Sequence, residues 1–586
     1  MRRAKIVCTL GPASDDRATI RQLADAGMSV ARLNASHGSV EDRVGVVERV
    51  RAVDDATDSP LAVMVDLQGP EVRTAPLDSP IELADDSEVR FVVGDDATPE
   101  EVGVSHSLAA VSEGDIILLD DGRIECQVRR VEGEAVVAQV VSGGRLGGRK
   151  GVNVPGADLG LDLITEGDEA ELDMAAEQSV DFVAASFVRD GDDVVAIADA
   201  LEARGADDIP IIAKIERADA VDNLASIVDA AYGVMVARGD LGVECPLEDV
   251  PMIQKRIIRT CKEAGVPVIT ATEMLDSMVS SPRPTRAEAS DVANAVLDGT
   301  DAVMLSGETA VGDHPVTVVE TMVRIVREVE ESPEYDEDQE SRVPKAREDS
   351  RTEALARSAR YLARDIGAAA VVAASESGYT ARKAAKFRPG VPVVATTPTD
   401  RVRRQLALSW GVDPQYVDYA ESAEAVLDDA ASAALEAGVA ESGDTLVVLS
   451  GMMTELAGMD PTNTLKVHVA SETVATGRSI VAGRVVGPVF RSEDGDLSAA
   501  PEGAILVLPP GFDEAFTGDL SKLAGMVDAR QGMTGYPAMV AREADIPMVS
   551  GAVLDESVAD GDVVTVDGER GVVYEGDVVK HGRRQT

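Results

Sequence analysis

Eight short apolar runs, at residues 5–10, 30–36, 62–67, 181–187, 210–216, 233–238, 267–272 and 301–306, alternate with amphipathic helical stretches. Short apolar runs alternating with helical stretches imply parallel strands paired through helical crossovers. Eight such units predict an α/β fold, the (β/α)8 TIM barrel, whose chemistry gathers at the C-terminal ends of the strands. The sequences closing the runs are polar or glycine-containing: TLGPAS, LNASHG, DLQGPE, ASF, KIE, ARGD, TATEML and LSGET. Polar density thus falls where catalysis is expected.

The rhythm assigns the barrel to 1–75 and 156–345. Between them, 76–155 carries short β-like runs and several glycines, and reads as a small all-β domain inserted after the third strand. Both joints feed the catalytic face, so this insert is placed to act as a lid. The charged, proline-punctuated stretch 328–353 reads as a linker. Beyond it, AAAVVAAS, PVVATTP, PQYVDY, DTLVVLSG and LKVHVA alternate with helical patterns, predicting a further α/β domain at 346–472. A glycine-rich module at 478–586 closes the chain.

Composition narrows the function classes. With Lys+Arg 55 against Asp+Glu 105, the formal net charge is −50, a field that repels nucleic acid and anionic membrane. No basic patch offsets it, and no apolar run reaches the length of a membrane span. The N-terminus enters a strand directly, without the pattern of a secretory signal. Four cysteines without CxxC spacing give neither a zinc knuckle nor a disulfide framework. These features predict a cytoplasmic protein. Of the basic residues 44 are arginine and 11 lysine, and aromatics make up only 3%. That surface suits a cytoplasm of molar salt, as in a haloarchaeal host, where the Debye length shrinks to roughly 3 Å.

Side chains two apart on a strand point the same way. Arg32, Asn34 and Ser36 therefore share a face, as do Lys214 with Glu216 and Thr270 with Thr272. Asp66 ends the third run and Asp240 follows the sixth. Carboxylates from neighbouring strands suit Mg²⁺, which completes its shell with substrate oxygens and water. A lysine and arginines in the same cup suit a phosphoryl group in flight. Asn, Ser and Asp oxygens suit a monovalent cation. Taken singly, Lys214 beside Glu216 is an ordinary ion pair, and Asn34 with Ser36 is strand-end hydrogen bonding. Taken together, the set points to metal-assisted phosphoryl transfer or enolate chemistry.

The motifs themselves are recognisable. KIVCTLGPAS at 5–14, ARLNASHG at 31–38, MVDLQGPEVRT at 64–74, KGVNVPG at 150–156, AASF at 184–187, AKIE at 213–216, VARGDLGVE at 236–244, TATEMLDSM at 270–278 and PRPTRAEASDVANAVLDGTDAVMLSGETA at 282–310 resemble the pyruvate kinase family in order and register. The resemblance covers about 1–470. It implies transfer of the phosphoryl group of phosphoenolpyruvate to ADP, giving ATP and pyruvate. Glu216 and Asp240 would hold Mg²⁺ or Mn²⁺. Lys214 would stabilise charge on the phosphoryl group and the enolate, and Arg32 would contact the phosphate. Gly239, Asp240 and Thr272 would seat the substrate carboxylate, with Thr272 helping to deliver the proton through water. Asn34, Ser36, Asp66 and the Leu67 carbonyl match a K⁺ site. Arg73, His37 and Lys150, together with Asn34, match nucleotide contacts. The family is typically homotetrameric.

Three departures from the pattern bear on detail. Asp66-Leu67-Gln68-Gly69-Pro70-Glu71 mixes the K⁺-dependent pattern, marked by Glu71, with the independent one, marked by Leu67 and Gln68. Since no lysine supplies the ion's charge, K⁺ dependence is expected. ASESGYTARKAAKFRP at 374–389 matches the sugar-phosphate effector loop through Ser375, Ser377, Gly378 and Thr380, yet Glu376 repels an anion. The tail from about 478 resembles the mobile phosphohistidine domain of phosphoenolpyruvate-using enzymes, with Tyr536 where the histidine belongs. That substitution predicts a structural, oligomerising or regulatory tail. The competing functions are an effector-sensing non-enzyme, opposed by intact Lys214, Glu216, Asp240 and Thr272; a phosphohistidine shuttle, opposed by Tyr536; and a Schiff-base aldolase, which would need no Mg²⁺. Asp121, in a DDG sequence, is within reach of nucleotide from the lid, but a tight turn is its simpler job. His106, His314, His468 and His581 lack partners at metal spacing.

Overall fold

The computed structural model describes residues 2–420, 422–451, 462–471, 473–554 and 557–578. Its backbone forms two compact units: Met1–Lys345 with Ala385–Arg388 and Asp400–Pro414, and Ala346–Ala384 with Pro389–Thr399 and Gln415–Thr586.

In the first unit the eight predicted runs become Lys5–Thr9, Val30–Asn34, Ala62–Asp66, Phe182–Ala185, Ile211–Ile215, Gly233–Ala237, Val268–Ala271 and Ala302–Leu305, closed in sequence into one parallel barrel. The TIM-barrel expectation holds. Alternation along each strand builds two cores. Val7, Val30, Met64, Phe182, Ile212, Met235, Ile269 and Met304 fill the interior, while their neighbours Ile6, Cys8, Ala31, Val63 and Val303 face the helices. Fully burying each large side chain is worth about 1.5–3 kcal/mol.

The helices are bounded by local chemistry. Asp16 accepts from the Ala18 and Thr19 amides to start Arg17–Ala26, and Gly27 at φ 123° ends it. Capping boxes at Ser39/Asp42, Thr165/Asp168 and Thr285/Glu288 open three more helices. Each satisfies amides that have no partner within the helix, and so fixes where the preceding loop must stop.

After the third barrel strand the chain leaves for a six-stranded sheet and a two-stranded one, from Ile81–Leu83 to Val152–Asn153. Leu83, Val89, Phe91, Ile117, Leu119 and Val136 give this insert its own buried core.

The 328–353 stretch is not an unstructured linker. Helix Pro315–Glu330 runs into it, Pro333–Ser341 forms a further helix, and Arg351–Ile366 begins inside it. Ser332 caps the middle helix at the Tyr335 amide. Tyr335 is then buried and accepts a hydrogen bond from Trp410 Nε1 at 3.1 Å. Segment 400–414 joins the barrel likewise: Leu408 enters its interior cluster, and Lys5 Nζ donates to the Val412 carbonyl at 2.6 Å.

In the second unit four strands, Val393–Thr397, Ala370–Ala374, Thr445–Ser450 and Thr464–Val469, form one sheet in that order. An eight-stranded sheet follows within 473–575. Its Tyr574, with Val578, packs on Val469 of the first sheet, and Ser471 Oγ donates to the Glu575 carbonyl at 2.9 Å.

Candidate active site

The predicted residues converge at the C-terminal end of the barrel. Asp66, the last residue of the third strand, is fully buried. It accepts from Arg32 Nε at 2.6 Å and lies 3.2 Å from Lys214 Nζ. The two-residue rule puts Lys214 and Glu216 together: Lys214 Nζ is 2.7 Å from Glu216 Oε1. Lys214 also donates to Ser186 Oγ at 2.7 Å, and that hydroxyl in turn donates a hydrogen bond to the Leu67 carbonyl at 2.7 Å. The Phe187 amide binds the other Glu216 oxygen at 2.8 Å. Gly69, at φ 71°, permits the close approach: a Cβ there would meet Phe187 at 2.8 Å and the Ser186 Cβ at 2.9 Å.

The charges are mutually tuned. Burial alone would push Lys214 down, but Asp66 and Glu216 hold its ammonium above the usual lysine value. Burial would push Asp66 up, yet Arg32 and Lys214 keep its carboxyl below the usual range. Asp240, in the short helix Arg238–Glu244, goes the other way. Although Asp240 itself reaches solvent, desolvation of its carboxyl by the cup, the Glu216 charge and Asp121 of the insert outweigh Lys214 and raise it to about 7. Glu216 is buried and Asp240 is exposed at the mouth of the cup, and two carboxylates that repel there form a donor set whose charge a divalent cation relieves. Mg²⁺ therefore fits Glu216 and Asp240.

Thr272 departs from the strand-face expectation. Its strand ends at Ala271, and Thr272 turns into the left-handed region at φ 66°. Thr270 instead donates to Thr300 Oγ1 at 3.0 Å, away from this network. Thr272 Oγ1 donates to the Ala271 carbonyl at 2.7 Å and accepts from the Gly239 amide at 2.9 Å. Arg238 spans the turn, donating to Ala271 O at 3.0 Å, Thr272 O at 2.7 Å and Asp291 Oδ1 at 2.7 Å.

The monovalent-cation residues adjoin this cup. Asn34 stands opposite Asp66 across the second and third strands. Its side-chain oxygen accepts from the Ser36 amide at 3.1 Å. Ser36 lies beyond the strand, in a turn. The set is all oxygen, which suits K⁺, but Arg32 and Ser186 engage Asp66 and the Leu67 carbonyl here.

Arg73 and Lys150 lie on the two segments joining insert and barrel, which meet at an isolated bridge between Arg73 and Gly151. Arg73 Nη2 is held by Glu71 at 2.6 Å, and Lys150 Nζ by Asp120 at 2.7 Å. His37 is exposed, and its carbonyl accepts from Arg43 at 2.6 Å.

Ser186, Arg238 and Asp120 went unassigned in the sequence reading. Ser186 and Arg238 carried the same mark as Lys214, a polar residue closing a barrel strand. Asp120 carried only its DDG turn. Glu308 of LSGET is a further one, accepting from the Leu275 amide at 3.0 Å and the Ser306 amide at 2.6 Å.

In the second unit, the Thr380 amide donates to Ser375 Oγ at 3.3 Å, and Thr380 Oγ1 meets Thr462 Oγ1 at 2.7 Å. Gly378 takes φ 73° and Ser377 is exposed. Tyr536 opens helix Tyr536–Glu543, its ring 5.5 Å from that of Phe516. His581 lies outside the described residues, which hold no other histidine in the tail.

The family model described as Pyruvate kinase, barrel domain, matches residues 1–319, and its alpha/beta domain matches 353–468. The model of the PEP-utilising enzyme, mobile domain, matches 500–571. Pyruvate kinases of Staphylococcus aureus strains USA300 and NCTC 8325 are each 41% identical over 584 residues, covering 98% of this chain and 99% of theirs. The crystal structure of a pyruvate kinase from Cryptosporidium parvum superposes with a TM-score of 0.74 at 36% identity, covering 80% of this chain and 96% of that one. Barrel, insert and tail agree with these matches along nearly the whole sequence, and the chain belongs to the pyruvate kinase family.

Proposed function

We propose that this enzyme transfers the phosphoryl group of phosphoenolpyruvate to ADP at the Lys214 cup, with Mg²⁺ or Mn²⁺ on Glu216 and Asp240 and K⁺ beside Asn34, Ser36, Asp66 and Leu67. The observation that carries this reading is the half-buried Lys214 held between Glu216 and Asp66, with Asp240 raised toward neutrality beside them. Its ion pairs keep Lys214 charged, so the ammonium is ready to balance charge on the phosphoryl group in flight and then on the enolate oxygen. Arg32, fixed by Asp66, faces the phosphate. Gly239 and Thr272 present an amide and a hydroxyl to the substrate carboxylate, and the Thr272 hydroxyl passes a proton through water to the enolate carbon. A divalent ion held by Glu216 and Asp240 would neutralise charge on substrate oxygens.

Arg73 and Lys150, at the joints of the insert, take the nucleotide together with Asn34 and His37 of the barrel. In this reading 1–75 and 156–345 are the catalytic barrel, 76–155 its lid, 346–472 an effector and oligomerisation domain, and 478–586 a phosphohistidine-like domain without its histidine. The effector ligand is held at Ser375, Ser377, Gly378 and Thr380, and the assembly is a cytoplasmic homotetramer adapted to high salt. No helix among the described residues is long and apolar enough to cross a membrane.

Titration with Mn²⁺ followed by electron paramagnetic resonance tests the metal assignment. Glu216→Gln and Asp240→Asn should each weaken Mn²⁺ binding at least tenfold, about 1.4 kcal/mol. Wild-type affinity in both variants would remove these carboxylates from the site.

A further inference from the structure

The cation expected to meet the nucleotide from the lid side is not free in this fold. Lys150 Nζ lies 2.7 Å from Asp120 Oδ1, and the Asp120 side chain is only 8% exposed while that of Lys150 is 40% exposed. The next cation, Arg123, stands 3.6 Å from the other Asp120 oxygen with its side chain 74% exposed. A buried carboxylate is costly without a partner, and Lys150 and Arg123 are the cations beside Asp120.

The backbone is built to keep it there. Asp120, Asp121 and Gly122 take three successive left-handed conformations, at φ 52°, 57° and 79°. That turn is sewn to the hinge, the Asp120 amide donating to the Gly151 carbonyl at 3.1 Å. Lys150 is fixed from the other side: its amide donates to Thr74 Oγ1 at 2.9 Å, and its carbonyl accepts from the Thr74 amide at 2.8 Å. Both ends of the ion pair are therefore anchored before any ligand arrives.

We propose that Asp120 is a positioning residue for nucleotide binding, holding the Lys150 ammonium at the hinge so that it meets the phosphates of a nucleoside diphosphate already oriented. The inference rests on the reading of Lys150 as a nucleotide contact. A lysine stem is long and flexible, and fixing it in advance removes an ordering cost from the binding step. The ammonium has three donors, so one can stay on Asp120 while the others turn to phosphate oxygens. Asp120 itself touches no substrate.

The test is a double-mutant cycle in the full-length enzyme, with ADP and phosphoenolpyruvate varied separately. Asparagine tolerates positive φ, so Asp120→Asn removes the charge and keeps the turn. It should raise the KM for ADP roughly fivefold, within the usual coupling of contacting groups. The KM for phosphoenolpyruvate and the melting temperature should stay at wild-type values. Lys150→Ala should raise the KM for ADP by at least as much, and adding Asp120→Asn to it should change nothing further. An unchanged or lowered KM for ADP in Asp120→Asn overturns the proposal, as does an additive double variant or a fall in melting temperature that accounts for the loss. A wild-type KM for ADP in Lys150→Ala would instead refute the underlying assignment of Lys150, and the proposal with it.

Discussion

Arg238 donates to the Thr272 carbonyl at 2.7 Å while Thr272 sits at φ 66°, a conformation a β-branched residue rarely adopts. The guanidinium also holds the Ala271 carbonyl and is anchored by Asp291. The strained turn persists because this fork over-determines it, and the turn is what brings the Thr272 hydroxyl to the Gly239 amide.

Loosening that fork should cost catalysis more than folding. Arg238→Lys keeps the charge but loses the paired donors. Its kcat should fall roughly 10- to 100-fold, each factor of ten being about 1.4 kcal/mol. Steady-state kinetics beside a thermal melt would check this. A wild-type kcat would show that the turn needs no brace.

Asp240 gives a pH dependence whose sign is fixed. Its carboxyl is raised to about 7, above the ordinary 3.8, so between those values the folded state holds a proton that the unfolded state has released. In chelator, stability from this group is complete below about 3.8 and is lost as pH rises through 7. Metal-free Asp240→Asn should therefore denature at higher urea than wild type at pH 8, with the difference closing by pH 4. Mg²⁺ should reverse the order at pH 8, and should bind wild type more weakly as pH falls below 7. Equal midpoints for both proteins at every pH would contradict the electrostatics described here.

The sequence carried most of this site because strand alternation and strand-end position are local properties. Lys214 and Glu216 meet as their spacing requires. Thr270 and Thr272 do not, because the strand stops at Ala271 and a positive φ breaks the alternation, which spacing alone does not reveal. Asp120 became visible only when segments distant in sequence were brought together, its partner Lys150 lying across the joint of the insert. The 328–353 stretch was misread because its charge hid Tyr335, whose burial depends on Trp410, a residue 75 positions away.

The monovalent ion is tested by exchange. Replacing KCl with NaCl at constant ionic strength should lower turnover, and Glu71→Lys should reduce that sensitivity by supplying the charge internally. Glu71 pairs with Arg73 in the present arrangement, so the same variant should also raise the KM for ADP. Turnover indifferent to the cation would remove Asn34, Ser36, Asp66 and Leu67 from the list of ligands.

Tyr536 makes the tail a poor phosphoryl carrier, since a phenol lacks the nucleophilic imidazole. Incubation with labelled phosphoenolpyruvate should give no acid-labile phosphoenzyme, and Tyr536→Phe should leave turnover unchanged. Label trapped on the 473–578 segment would contradict this assignment.

The most direct test of the whole account is pyruvate formation from phosphoenolpyruvate and ADP, followed in a coupled assay with Mg²⁺ in concentrated KCl, for wild type and Lys214→Met. Removing a charge that stabilises the transition state typically costs about 10²–10³ in rate. The wild type should turn over, and the variant should fall by at least that factor while keeping its far-ultraviolet circular dichroism. A folded Lys214→Met enzyme with wild-type turnover would place the chemistry elsewhere.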